Sequence, residues 1–252
     1  MQRFRKHSDR HDRDYFAIEA AGLRWLADAG PGCARIVSVL DVGDDHIELE
    51  RLSPARAEAS AAAEFGRALA VTHAAGADAF GQPPPGVGRR GYIGQQRMSM
   101  IPSPTWGTFY AEQRMLPYAR QAYDLGQLSR PDLDRVERVA VRLTAGDFDD
   151  GRPPARIHGD LWSGNVIFTA AGVVLIDPAA HGGHGLTDLA MLDVFGAPRL
   201  EVISAAYAEA AELDPNWPEL IGLHQLHPLL VHAVSHGPAY GSEAGRIAAR
   251  YR

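Results

Sequence analysis

Apolar residues along this chain recur at two different spacings, and the change from one to the other marks its elements. In residues 15–29, Phe16, Leu23 and Leu26 fall at helical spacing, and Gly30-Pro31-Gly32 ends the run. Residues 36–40 and 46–50 instead read as strands, joined by the turn Gly43-Asp44-Asp45. A short strand at 3–7 is too polar for the pattern alone to assign. An Ala-rich helix is predicted over 56–75, with Phe65, Leu69 and Thr72 on one face and His73 as a packed residue at its end. Residues 76–105 are rich in Gly and Pro, with GQPPPGVGRRG at their centre, and predict a long loop of the kind that is often functional. Helices are predicted at 106–125 and 131–145. Val166-Ile167-Phe168 and Val173-Val174-Leu175-Ile176 then form two short buried strands around a turn at Ala171-Gly172. A helix over 186–195 follows, and three more from Arg199 onward, with Pro215, Pro218 and Pro238 near their boundaries. The pattern shows no internal repeat and no disordered tail.

Composition narrows the class. A chain of 252 residues with 46% hydrophobic and 22% charged positions suits one large domain or two small lobes. The formal charge of −6 argues against nucleic acid or an anionic membrane as the main partner, since both demand a basic surface. No stretch approaches the roughly 20 apolar residues of a membrane span, and the first residues are too polar for a signal peptide. The one cysteine, Cys33, excludes an internal disulfide, fits a reducing cytoplasm and is assigned no chemistry. Of the 25 cationic residues only Lys6 is a lysine, a compact point charge among planar guanidinium forks. His224, His227, His232 and His236 are dense, but no Cys, Asp or Glu joins them in HQLHPLLVHAV, which reads as an apolar helix with packed histidines rather than a zinc site.

The chemistry gathers in RIHGDLWSGNVIFTAAGVVLIDP, from Arg156 to Pro178. Phosphoryl transfer needs a carboxylate to take the proton of the acceptor hydroxyl, and oxygen ligands to hold Mg²⁺ on the nucleotide phosphates. His158-x-Asp160-x4-Asn165 followed by Asp177 has the spacing of a kinase catalytic loop and its metal aspartate. The intervening hairpin returns Asn165 to the side of Asp177. The plainer alternative is a buried hairpin with ordinary turn formers at its ends. Further upstream, Glu19 lies on the apolar face of its helix between Phe16 and Leu23 and needs a partner.

At these residues the chain closely resembles the fructosamine kinase (ketosamine 3-kinase) family, within the aminoglycoside-phosphotransferase and protein-kinase-like fold. HGDLWSGN and DPAAHGGHGLTDLAM look like its two signature blocks, and Trp162-Ser163 distinguishes it from aminoglycoside kinases. FRK…FAIEAAGLRWL and FGQPP…YIG…TWGTFYAEQRMLP extend the resemblance over about residues 4–240. Met98 and Met100 depart from it, standing where polar residues are expected.

The resemblance implies an α/β (α+β), two-lobed protein-kinase-like fold, with a nucleotide-binding lobe at 1–52 and a mostly helical catalytic and substrate lobe at 53–252. With its lysine at position 6, the first lobe is expected to be truncated and to lack the glycine-rich loop. The implied reaction moves a phosphoryl group from ATP to a sugar hydroxyl of a ketosamine. Asp160 would be the base, Asn165 and Asp177 the Mg²⁺ ligands, and Lys6, positioned by Glu19, the partner of the phosphates. Adenine would dock on backbone groups at the hinge 51–54, with Glu50 and Leu52 among the nucleotide contacts. Trp162 and Trp106 are the candidates for the acceptor wall, although Trp162 is equally read as loop packing. Asp188 would brace the catalytic loop. The implied partners are ATP and a small glycated amine or glycated protein side chain, in the cytoplasm; the oligomeric state stays open. Two other readings remain: a small-molecule kinase of the aminoglycoside-phosphotransferase type, and a nucleotide-binding module with impaired catalysis.

Overall fold

The computed structural model describes residues 2–8 and 12–251. Strand β1 (Arg3–His7) leads into helix α1 (Tyr15–Ala27), followed by β2 (Arg35–Ile36), β3 (Val39–Val42) and β4 (His46–Glu50). The central strand β4 has β1 antiparallel on one side, Lys6 opposite Ile47, and β3 on the other. Alternation explains its place: Ile47 and Leu49 point inward and are essentially buried. Against this sheet α1 lays Phe16, Ala20, Leu23 and Leu26, with Glu19 buried among them.

The predicted strand at 36–40 is in fact two. β2 turns away to run parallel to β9 (Gly172–Leu175), which pairs antiparallel with β8 (Val166–Thr169), while β3 stays with β4. This split ties the first sheet to the hairpin that follows the loop at 158–165. Helix α2 (Ala59–Ala74) packs Phe65 and Leu69 into the same core as α1 and that hairpin. Gly66 permits the closest approach, since a Cβ there would collide with the Ile203 carbonyl of α7 (Leu200–Ala210).

The expected long loop at 76–105 contains a hairpin, β5 (Arg90–Ile93) and β6 (Gln96–Ser99). Met98 and Met100 are buried there and serve the core, with the Met100 side chain over Gly91. The helix predicted over 106–125 forms as α3 (Trp106–Phe109), a π-helical stretch (Tyr110–Met115) and α4 (Leu116–Asp124). α5 (Arg130–Ala145) starts on the Ser129 cap and stops at Gly146, φ 86°. β7 (Ala155–Ile157) pairs with β10 (His181–Gly183), two strands too short, the second also glycine-rich, for the sequence pattern to show. The chain finishes with α6 (Gly185–Phe195), α7, α8 (Pro218–His236) and α9 (Pro238–Ala248). Among the described residues, no helix is long and apolar enough to cross a membrane.

The π-helical turn has a purpose in packing. Pro228, inside α8, has no N–H to give to the His224 carbonyl. The Tyr110 hydroxyl fills the gap: its proton is shared between the Leu223 and His224 carbonyls (3.0 and 2.8 Å), and its oxygen accepts the His227 N–H at 3.1 Å.

Candidate active site

The loop after β7 is held by one buried carboxylate. Asp188, in the first turn of α6, accepts the backbone N–H of His158 at 2.7 Å and of Gly159 at 2.9 Å. His73 of α2 contacts the same carboxylate at 3.0 Å and the Tyr207 hydroxyl of α7 at 2.8 Å. Burial pushes the Asp188 carboxyl up, but the hydrogen bond and charge of His73, with His158 and the Gly159 N–H, outweigh it and leave the group below its ordinary range. Gly159 sits at φ 79°, where a side chain would collide with the Ala179 carbonyl. The His158 ring accepts the Asp160 N–H at Nδ1 (3.3 Å) and donates from Nε2 to the Ile176 carbonyl (2.8 Å), an arrangement of the neutral imidazole. Burial, opposed by Asp188, lowers its pKa accordingly.

Asp160, Asn165 and Asp177 meet at the mouth of the β8–β9 hairpin. The Ile176 N–H donates to the Asn165 carbonyl at 3.1 Å and closes the hairpin ends together. The Asn165 amide nitrogen donates to the Asp160 carbonyl (2.8 Å), its carboxylate (3.4 Å) and the Asp177 carbonyl (3.3 Å). With the nitrogen committed, Asn165 Oδ1 has no donor among the described residues and remains available as a hard oxygen ligand. Asp177 lies at φ 54°, in the left-handed region, which turns its carboxylate toward the cleft. Burial, then the charges of Asp177 and Asp188, push Asp160 up to about 7 against the Asn165 hydrogen bond.

Lys6 reaches this group from β1. Its ammonium donates to Glu19 at 2.8 Å and to Asp177. Burial lowers its pKa, but Glu19 and Asp177 together raise it above the ordinary lysine value. Two cavities meet at this ion pair. One, about 270 Å³, is walled by Lys6, Glu19, Asp160, Trp162, Asn165 and Asp177. The other, about 340 Å³, is lined by Phe4, Val37, Glu50, Leu52, Ile167 and Ile176, and shares Lys6 and Asp177 with the first. The second is a mostly apolar slot, and the Leu52 N–H at its edge has no acceptor among the described residues. Glu50 turns its carboxylate away, to Arg35 at 2.6 Å.

The structure therefore brings Lys6, Glu19, Asp160, Asn165 and Asp177 to one cleft, and Glu50 and Leu52 to its neighbour. Trp162 stands at the cleft wall, 43% exposed, its ring lying over Gly164 where any Cβ would clash. Trp106 is a correction: it is buried, stacked on the His224 and Tyr110 rings at 4.5 and 5.1 Å, and does not reach the cleft. Its position at the start of a helix turns the indole into the core. Sequence reasoning missed Tyr15, Tyr92 and Gly94, which also line the Asp160 cavity. For Tyr92 and Gly94 the one signal was the YIG segment inside the predicted loop; Tyr15, at the start of α1, had none. Among the described residues, no group of three or more His, Cys, Asp or Glu forms a ready-made metal cage. A cation held partly by phosphate oxygens does not need one.

Comparison with known proteins gives the chain's family and fold. The family model described as fructosamine kinase matches residues 1–251. A ketoamine kinase of Lactiplantibacillus plantarum, so assigned by name, is 29% identical over 252 residues, covering 99% of this chain and 86% of its own. A crystal structure from Thermobifida fusca, assigned as a fructosamine-3-kinase, superposes with a TM-score of 0.89 at 43% identity, covering 98% of this chain and 85% of that one. A thermostable mutant of an aminoglycoside phosphotransferase shares the fold, with a TM-score of 0.62 at 18% identity over 98% of this chain and 87% of its own.

Proposed function

The chain belongs to the fructosamine kinase family, and from that premise we propose which of its residues perform the reaction. The protein is an ATP-dependent phosphotransferase acting on a sugar hydroxyl of ketosamines. The observation that carries the assignment is the meeting of a phosphate-side cavity and an apolar slot at Lys6 and Asp177. We take residues 1–52 as the nucleotide side and 53–252 as the catalytic and substrate side. Adenine occupies the slot, with the Leu52 N–H offered to its ring edge and Ile167 and Ile176 against its face. The phosphates run past Lys6, which exchanges Asp177 for phosphate oxygens while Glu19 keeps it in place.

Asp160 orients the acceptor hydroxyl and takes its proton as the new oxygen–phosphorus bond forms and the bond to the ADP oxygen breaks. A base near pH 7 balances proton affinity against the fraction ionised, and its burial with Asp177 and Asp188 nearby supplies that poise. Asn165 Oδ1 and the Asp177 carboxylate form an all-oxygen donor pair that fits Mg²⁺ and poorly fits softer metals. When bound there, Mg²⁺ supplies positive charge to the nucleotide phosphates. Trp162 walls the sugar side. ATP use and the single cysteine support action in the cytoplasm. The test is ATP consumption with and without a panel of glycated amines. No acceptor-dependent ADP release across the panel would sink the reading.

A further inference from the structure

A third cavity, about 790 Å³, adjoins the Asp160 cleft: Ile18 and Tyr92 belong to the walls of both. Its lining carries both signs of charge, Arg89, Arg90 and Arg97 on one side and Asp12 and Asp14 on the other. The hairpin register sets Tyr92 opposite Arg97, and Arg90 lies two residues from Tyr92, so all three share the face turned toward the start of α1. Some of these charges are already matched. Arg97 pairs with Asp12 at 2.8 Å, and the Tyr92 hydroxyl lies 2.7 Å from Asp12 and 3.1 Å from Asp14. Arg89 and Arg90, by contrast, have no carboxylate within ion-pair distance among the described residues, yet both line the cavity.

We infer that this cavity is the amine-side subsite of the acceptor, in which Arg89 and Arg90 receive a carboxylate carried at the far end of the ketosamine's N-substituent. The inference rests on the ketosamine-kinase reading of the Asp160 cleft. A cavity of about 270 Å³ falls below the roughly 300–1,000 Å³ usual for a drug-sized ligand. It must hold the transferred phosphoryl group as well as the reacting end of the sugar, so the substituent on the amine needs a second compartment. Ile18 and Tyr92, an aliphatic side chain and an aromatic ring, form the boundary that the two cavities share. A methylene spacer suits that apolar boundary, and a carboxylate suits the guanidinium groups of Arg89 and Arg90 in the lining beyond it. The acceptors favoured by this geometry are ketosamines of amino acids with the amine several carbons from the carboxylate, in preference to ketosamines of neutral amines.

Three synthetic acceptors test this directly: the ketosamines of 6-aminohexanoate, of 6-aminohexanamide and of hexylamine. In the native enzyme the carboxylate should show a KM about tenfold lower than either neutral acceptor, with similar kcat, the pattern of binding energy expressed equally in ground and transition states. In Arg89→Gln/Arg90→Gln that ratio should fall to about one, and in Arg90→Gln alone to an intermediate value. Both residues are exposed, so the fold should tolerate the exchange, and an unchanged melting temperature verifies it. Equal KM values for the three acceptors in the native enzyme overturn the subsite while leaving the kinase reading intact. A preference that survives the double substitution places the carboxylate elsewhere and equally overturns it. Failure of all three to be phosphorylated strikes at the reading of the cleft itself.

Discussion

Lys6 and Asp177 form an ion pair although 171 residues separate them in the chain. Each lines both the Asp160 cavity and the apolar slot proposed for adenine, so their contact is where the two compartments join. A lysine on a strand edge and an aspartate in a left-handed backbone conformation meet there because β1 pairs with β4 and β2 pairs with β9.

Asp177→Asn should remove Mg²⁺-dependent ATP binding and leave the fold intact, because the carboxylate serves the cleft and not the core. Calorimetric titration with Mg·ATP, beside a thermal melt, reads both. Unchanged affinity would remove Asp177 from the metal site.

Asp160→Asn should keep nucleotide affinity and lower turnover by about 10²–10⁴, the usual worth of a positioned general base. Steady-state ADP release with a ketosamine acceptor measures it. Near-native turnover would show that another group takes the proton.

Tyr110→Phe should destabilise the protein by roughly 1–3 kcal/mol, the cost of leaving a buried polar group unsatisfied. The hydroxyl is the partner of the His227 N–H and of two carbonyls around Pro228. Denaturant unfolding of the variant beside the native chain gives the difference. A change within error would mean that the helix relaxes around the proline unaided.

The return of Asn165 to the side of Asp177 was legible because the residues are local. His158, Asp160, Asn165 and Asp177 flank a single hairpin, and the apolar runs Val166–Phe168 and Val173–Ile176 fix how it folds back. Lys6–Glu19 was legible for a different reason: a carboxylate on the face of Phe16 and Leu23 needs a partner, and FRK…FAIEAAGLRWL resembles the family's strand-to-helix passage, which supplies the lysine. The β5–β6 hairpin was not legible. Its outward face is Arg90, Tyr92 and Arg97, its inward face includes Gly91, and only Ile93 and Met98 supply buried apolar contacts. Trp106 was misplaced because its partners, His184 and His224, come from distant helices and no local pattern reports them. The bond from His73 to Asp188 was hidden likewise, since helical spacing predicted only that His73 would be buried.

Stability should fall as the solution is acidified from neutral. His181, His224 and His227 are buried, and burial holds each well below the ordinary imidazole pKa, with Arg114 adding to the effect on His181 and His227 and His184 to that on His224. His227 is pushed down to about 3. In the unfolded chain all three bind protons below about pH 6.5, so the unfolded state then holds more protons than the folded one. Their contribution is complete above that pH and is lost as pH falls below it, at up to about 1.4 kcal/mol per pH unit for each residue. Urea unfolding at pH 7.5, 6.5 and 5.5 should show the decline. A flat profile would mean that these imidazoles are protonated in the folded protein.

The ion pair at Lys6 also bears on the enzyme's own vulnerability to sugar. Reducing sugars condense with neutral amines, and a ketosamine on the lysine that lines the Asp160 cavity would block that cavity. The chain has one ε-amine to lose. Glu19 and Asp177 hold it protonated, and therefore unreactive, while the arginines elsewhere offer no amine of that kind. Prolonged incubation with glucose should leave Lys6 unmodified by peptide mass analysis, and Glu19→Gln should make it the first side chain to react. Self-inflicted glycation is resisted by the same two carboxylates that set the lysine for phosphate.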